Sequence, residues 1–174
     1  GEVPRLRLAL PGVGVTDEDH AGLRLLLHLL SVGRSSFLHR TLVEDERLCP
    51  WVSTDLSELL DPGSIGLALE LLPGVEPELV ERRVLELLDE ARERSVLPTE
   101  LDRAKRLYEA DWVFSHERVY QRALFAASAL AHHDVEFPER YRESVLACSA
   151  SKLQALSRRY LAVGQGVVGW SLPA

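Results

Sequence analysis

Apolar and polar residues alternate from Leu6 to Leu10 in "PRLRLAL", and Pro11 and Gly12 end the run. A period of two puts every second side chain on one face, so the spacing predicts a half-buried strand. The period then changes. In "TDEDHAGLRLLLHLLSVG", Leu23, Leu26, Leu27 and Leu30 fall on one side of a helix. Thr16 or Asp17 is placed to cap it, acids crowd its first turn, and Gly33 closes it. His20 falls in that first turn, where exposure is expected. His28 lies among leucines and reads as a partly buried, hydrogen-bonded histidine.

After a short segment over residues 35–46, two strands are predicted at Leu48–Leu56 and Ser64–Leu72. "DPGS" supplies turn residues between them, so the pair is antiparallel. The rest is mainly helical. Pro77 opens a helix whose stripe is Val80, Val84, Leu87, Leu88 and Ala91. Thr99 is placed to cap a second helix, carrying Leu101, Ala104, Leu107 and Tyr108. An Ala-rich helix spans residues 117–132, and a short one covers "FPERYRESVLA". Ser149 caps "ASKLQALSRRYL", and "GVVGWSL" is a last strand. The order implies an α+β fold, a mainly antiparallel sheet covered by helices on one face. No repeat or internal linker divides residues 1–174, which read as one α+β domain.

Composition narrows the function classes. The chain has 174 residues and a net charge of −7, a balance that argues against a nucleic-acid partner. No apolar run reaches the roughly 18 residues that would span a bilayer. Gly1 and Glu2 lead almost at once into the first strand. That start suggests the C-terminal part of a longer parent, with any targeting signal on the missing N-terminal part; the segment itself reads as soluble. Cys49 and Cys148 make no disulfide framework and read as small buried hydrophobes.

Candidate chemistry is sparse. "HHDVE", residues 132–136, holds two histidines and two acids. Adjacent helical residues point about 100° apart, so the segment reads as a solvated helix end rather than a metal site. No H-E-x-x-H or H-x-x-E-H occurs, so the two-histidine zinc helix is missing. "GRSS" lacks the G-x-S-x-G frame, and Gly12-Val13-Gly14 lacks a third glycine. Nothing in the residues makes the chain a self-sufficient enzyme: no catalytic residue, no metal ligand and no cofactor is expected in it.

One ordered set of segments does carry a resemblance. "DHAGLRLLLHLLSVGRSSFL", "LVEDERLCPWV", "DPGSIGLALELL", "TELDRAKRLY", "SASKLQALSRRYL" and "VVGWSLP" follow one another over nearly the whole chain. In that order they resemble the non-catalytic domain of pitrilysin/insulinase-type zinc metallopeptidases. The resemblance implies a peptidase of two homologous halves that close around a peptide. One half holds zinc on an H-x-x-E-H helix. The last domain holds no metal and lends an Arg and a Tyr to grip the substrate.

Aligning "SSFL" with the family's "SSRL" sets the Arg position on Val43 and the Tyr position on Pro50. Val43 donates no hydrogen bond, and Pro50 has neither a hydroxyl nor a backbone N–H. Phe37 replaces the Arg of "SSRL". Arg47, one turn past Val43 if the segment is helical, and Trp51, beside Pro50, are the possible substitutes. The implied role is a non-catalytic wall of a peptide chamber, paired with a zinc-bearing half and holding unfolded peptide by strand addition. The competing role is a pseudo-peptidase scaffold with no part in proteolysis. The isolated domain is expected to self-associate through its sheet edge or its Leu-rich helix.

Overall fold

The strands are β1 (Arg5–Pro11), β2 (Val52–Leu56), β3 (Ser64–Glu70) and β4 (Val167–Ser171). In the computed structural model, which describes residues 3–117, 119–131, 134 and 136–172, they form one antiparallel sheet ordered β2-β3-β1-β4. The period of two in β1 is realised: Leu6, Leu8 and Leu10 are buried and their neighbours exposed. Register lines the inward residues into rows across the sheet. Val52, Leu69, Leu6 and Trp170 make one row; Thr54, Leu67, Leu8 and Val168 make the next. The opposite face carries the cross-strand ion pairs Arg5–Glu70 at 3.2 Å and Arg7–Asp55 at 3.4 Å. One face is therefore core and the other solvated, as an antiparallel sheet allows.

Helix α1 (His20–Ser31) lies over the core face. It packs against β2 and against α4 (Pro98–Glu117), α6 (Phe137–Ala147) and α7 (Ala150–Tyr160). Surrounded in this way, it is buried nearly all round, with Leu25 and Leu29 as well as the predicted stripe. A helix hydrophobic on every side belongs in the interior. The Leu-rich helix therefore offers no surface for self-association. The remaining helices are α2 (Phe37–His39), α3 (Pro77–Glu93) and α5 (Val119–Ala131). α7 docks on the C-terminus of α3, where the Ser157 hydroxyl donates to the Ala91 carbonyl and the Gln154 amide to the Arg92 carbonyl, both at 2.7 Å. These bonds satisfy carbonyls that a helix end leaves without partners.

Several expected boundaries move. α1 starts at His20 and has no acid in its first turn. Residues 17–20 form a preceding turn instead, in which the Asp17 carboxylate accepts the Asp19 N–H at 2.8 Å. Asp19 is drawn to α7, accepting from Arg159 and Tyr160 at 2.9 Å each. His20, expected to be exposed, has 0% of its surface accessible. β2 begins at Val52 rather than Leu48, because Pro50 has no N–H to give the ladder. Within the 35–46 segment, residues 37–45 are helical. α2 runs into a wide π turn at Arg40–Asp45, in which the Glu46 N–H reaches the Thr41 carbonyl at 2.9 Å. Thr99 lies inside α4 rather than at its cap; Glu100 instead reaches back to accept the Leu97 N–H at 3.1 Å. Ser149 caps α7 as expected, accepting the Lys152 N–H at 3.2 Å. The two cysteines are unpaired and buried.

Candidate functional site

Residues 35–52 lead from the end of α1 to β2, one of the two edge strands of the sheet. Their start is held by Arg103 of "TELDRAK". Its guanidinium donates to the Ser35 hydroxyl at 2.6 Å, to the Ser35 carbonyl, and to the Leu29 carbonyl at 3.4 Å. The next contact is Phe37, half-buried, with the Arg94 guanidinium 4.6 Å from its ring centre. Leu38 and Leu42 point into the core with no accessible surface.

Val43 follows on the π turn and packs, half-buried, against the core. Its apolar side chain is thus part of the fold's interior packing. Arg47 does not continue that turn as a regular helix. It sits after the helical segment at φ +51°, a left-handed conformation that is uncommon for a residue with a Cβ. Its neighbour Glu46 is pinned to α3, accepting from Arg83 at 2.8 and 3.1 Å. The turn is held while Arg47 stays exposed. Pro50 is exposed as well, and Trp51 is 39% exposed at the entry to β2. Pro50 and Trp51 are therefore exposed at the entry to β2, while Val43 is packed against the core.

A second constellation escaped the sequence. The His20 Nε2 lies 3.0 Å from the Ser57 carbonyl, which only accepts, so the ring proton sits on Nε2. Nδ1 then accepts the Tyr141 hydroxyl proton at 2.7 Å. The Arg24 guanidinium lies near the same hydroxyl and opposes its rise in pKa. Burial holds the His20 pKa below 6.5 and pushes Tyr141 up to about 12. A cleft of about 290 Å³ opens beside this relay, with Arg24, His28, Glu58, Tyr108, Asp111 and Tyr141 in its lining. The i, i+4 spacing of Arg24 and His28 was the available signal; their partners lie on other elements.

No three His, Cys, Asp or Glu residues gather to hold a metal among the described residues. His28 and Asp111 supply two donors, and a guanidinium shares their cleft. A structural zinc takes four donors and a catalytic one at least three, so this set does not fit one. His132, His133 and Val135 of "HHDVE" lie outside the described residues; its Asp134 accepts from Arg140.

The fold is an α+β domain, one antiparallel sheet covered by helices. The chain matches the peptidase M16 inactive-domain family over residues 1–108, and it belongs to that family. The resemblance to the non-catalytic domain of pitrilysin/insulinase-type peptidases therefore holds. The zinc protease PqqE of Helicobacter pylori is 25% identical over 143 residues, 82% of this chain and 32% of that protein. The chain thus spans about a third of the length of this relative. An inactive peptidase domain from Bordetella parapertussis has the same fold, with TM-score 0.89 and 21% identity over 100% of this chain and 92% of that one. So does a peptidase M16 inactive domain from Pseudomonas fluorescens, with TM-score 0.81 and 19% identity over 100% of this chain and 42% of that one. No helix among the described residues is long and apolar enough to cross a membrane.

Proposed function

We propose that the chain is the non-catalytic wall of a peptide chamber, set opposite a zinc-bearing half in the same parent chain or in a partner subunit. Zinc then belongs to that half and not to this chain. The observation that carries the reading is the surface at the entry to β2. The family positions for a gripping Arg and Tyr hold Val43, half-buried in the packing, and Pro50, without a donor. What remains beside them is an edge strand of the sheet, β2, with Trp51 and Arg47 exposed next to it. An extended peptide added to such an edge is held by main-chain hydrogen bonds, which need no particular side chain. The match to a zinc protease about two and a half times as long supports a larger parent.

The test is affinity capture of the native parent from its own cells, with mass spectrometry and zinc analysis. The expected result is a polypeptide carrying H-x-x-E-H, in the same chain or in one-to-one ratio, with one zinc per pair. A parent with neither zinc motif nor zinc would overturn the chamber reading and leave a scaffold.

A further inference from the structure

The cleft beside the relay has its own chemistry. Arg24 and Glu58 pair across it, with side chains 21% and 70% exposed. His28 and Asp111 face each other at 3.5 Å, with side chains 15% and 65% exposed. The basic groups therefore sit at the floor and the carboxylates at the rim. Between them stand aromatic walls, Tyr108, Trp112 and Tyr141. Tyr108 meets the His28 ring edge-on at 5.5 Å.

The proton positions leave a gap in this arrangement. His28 Nδ1 lies 3.1 Å from the Arg24 carbonyl, which can only accept, so Nδ1 carries the proton. Nε2 then turns a lone pair toward the Asp111 carboxylate. Two acceptors face one another with no donor between them while the imidazole is neutral, the form that burial favours. One guanidinium against two carboxylates leaves a net negative charge among the cleft's charged groups, Arg24, Glu58 and Asp111. A cationic N–H donor completes both the hydrogen bonding and the charge.

We infer that the cleft binds the basic side chain of a peptide, an arginine or a lysine. Its apolar stem lies along Tyr108, Trp112 and Tyr141, and its cationic head donates to Asp111, Glu58 and Nε2 of His28. Aromatic faces favour such a cation, and the stem covers apolar wall that water solvates poorly. The inference rests on the cleft alone and is independent of the chamber reading.

The experiment titrates the ¹⁵N-labelled chain with N-acetyl-arginine amide, N-acetyl-citrulline amide and free arginine. Signals of the Trp112 indole, assigned with Trp112→Phe, report on the cleft. The arginine amide is expected to bind saturably, and citrulline, of nearly the same shape but uncharged, at least about tenfold more weakly, the scale of a lost charge-assisted contact. Asp111→Asn and Glu58→Gln, both at exposed side chains, are expected to weaken arginine binding roughly tenfold with an unchanged circular dichroism spectrum. Citrulline binding as tightly as arginine, or both variants binding like the parent sequence, would overturn the inference. Tighter binding of free arginine than of the blocked amide would overturn the peptide as its source.

Discussion

His20 and Tyr141 stand 121 residues apart in the chain, and their side chains meet at 2.7 Å. The bond joins the first turn of α1 to the middle of α6, and the same imidazole reaches the β2–β3 connection through Ser57. Three elements are thus tied at one buried ring. Removing the Tyr141 hydroxyl leaves Nδ1 of His20 buried without its donor. Tyr141→Phe is expected to cost about 1–3 kcal/mol, the penalty for an orphaned buried acceptor. Urea unfolding followed by circular dichroism checks it, and an unchanged midpoint would show that the bond carries no stability.

Acid acts on the same ring. Burial first of all holds the His20 pKa below 6.5, with Arg24 in the same direction and Ser57, Glu58 and Asp17 opposing; His28 is lowered by burial too. The unfolded chain therefore takes up protons before the folded one does. Stability is full above about pH 6.5 and is lost as pH falls through the folded pKa values. The urea midpoint is expected to fall between pH 7.5 and pH 5, above the ordinary carboxylate range, and less so in His20→Gln. A midpoint that holds or rises over that interval contradicts the assignment.

Much of the fold was legible because single periodicities settle it. The alternation in β1 and the stripe of α3 both appear where the spacing put them. His20 was misread because its surroundings come from Tyr141 and Ser57, which no local pattern connects to it. The start of α1 was misread for a related reason. Asp17 and Asp19 look like first-turn acids, but α7 draws Asp19 away with Arg159 and Tyr160. Val43 and Pro50 are set at the Arg and Tyr positions by the resemblance alone. Only the fold shows that one is packed inward and the other exposed.

Arg103 explains part of why "TELDRAK" is distinctive. One guanidinium serves the Leu29 and Ser35 carbonyls at the end of α1, as well as the Ser35 hydroxyl. Arg103→Ala is expected to destabilise by about 1–3 kcal/mol and to raise amide exchange in residues 33–36. Arg103→Lys, with one donor head in place of a fork, is expected to recover only part of the loss. Hydrogen exchange read by mass spectrometry tests this; unchanged exchange in that loop would remove the anchoring role.

The thiols give a further prediction. Burial pushes Cys49 up to about 11 and raises Cys148 as well. Thiolates are the reactive form, so both are expected to alkylate slowly with iodoacetamide at pH 8 in the folded chain. In 8 M urea they are expected to react at the rate of an ordinary peptide thiol. Rapid labelling of Cys49 without denaturant would contradict its place beneath the π turn.

The last prediction concerns self-association. α1 is enclosed, so the surface for it lies elsewhere. Val113, Phe114, Val119, Tyr120 and Leu124 are 51%, 65%, 81%, 74% and 54% exposed along the end of α4 and the start of α5. An exposed apolar run of this kind marks a contact surface. The isolated chain is expected to gain mass with concentration in light scattering. Phe114→Ser with Tyr120→Ser is expected to return it toward the 19.5 kDa monomer without changing its melting temperature, because neither side chain is in the core. If the double variant associates as the parent sequence does, the contact runs through the open edges of β2 or β4 instead, and charged substitutions at Ser53 and Val167 then locate it.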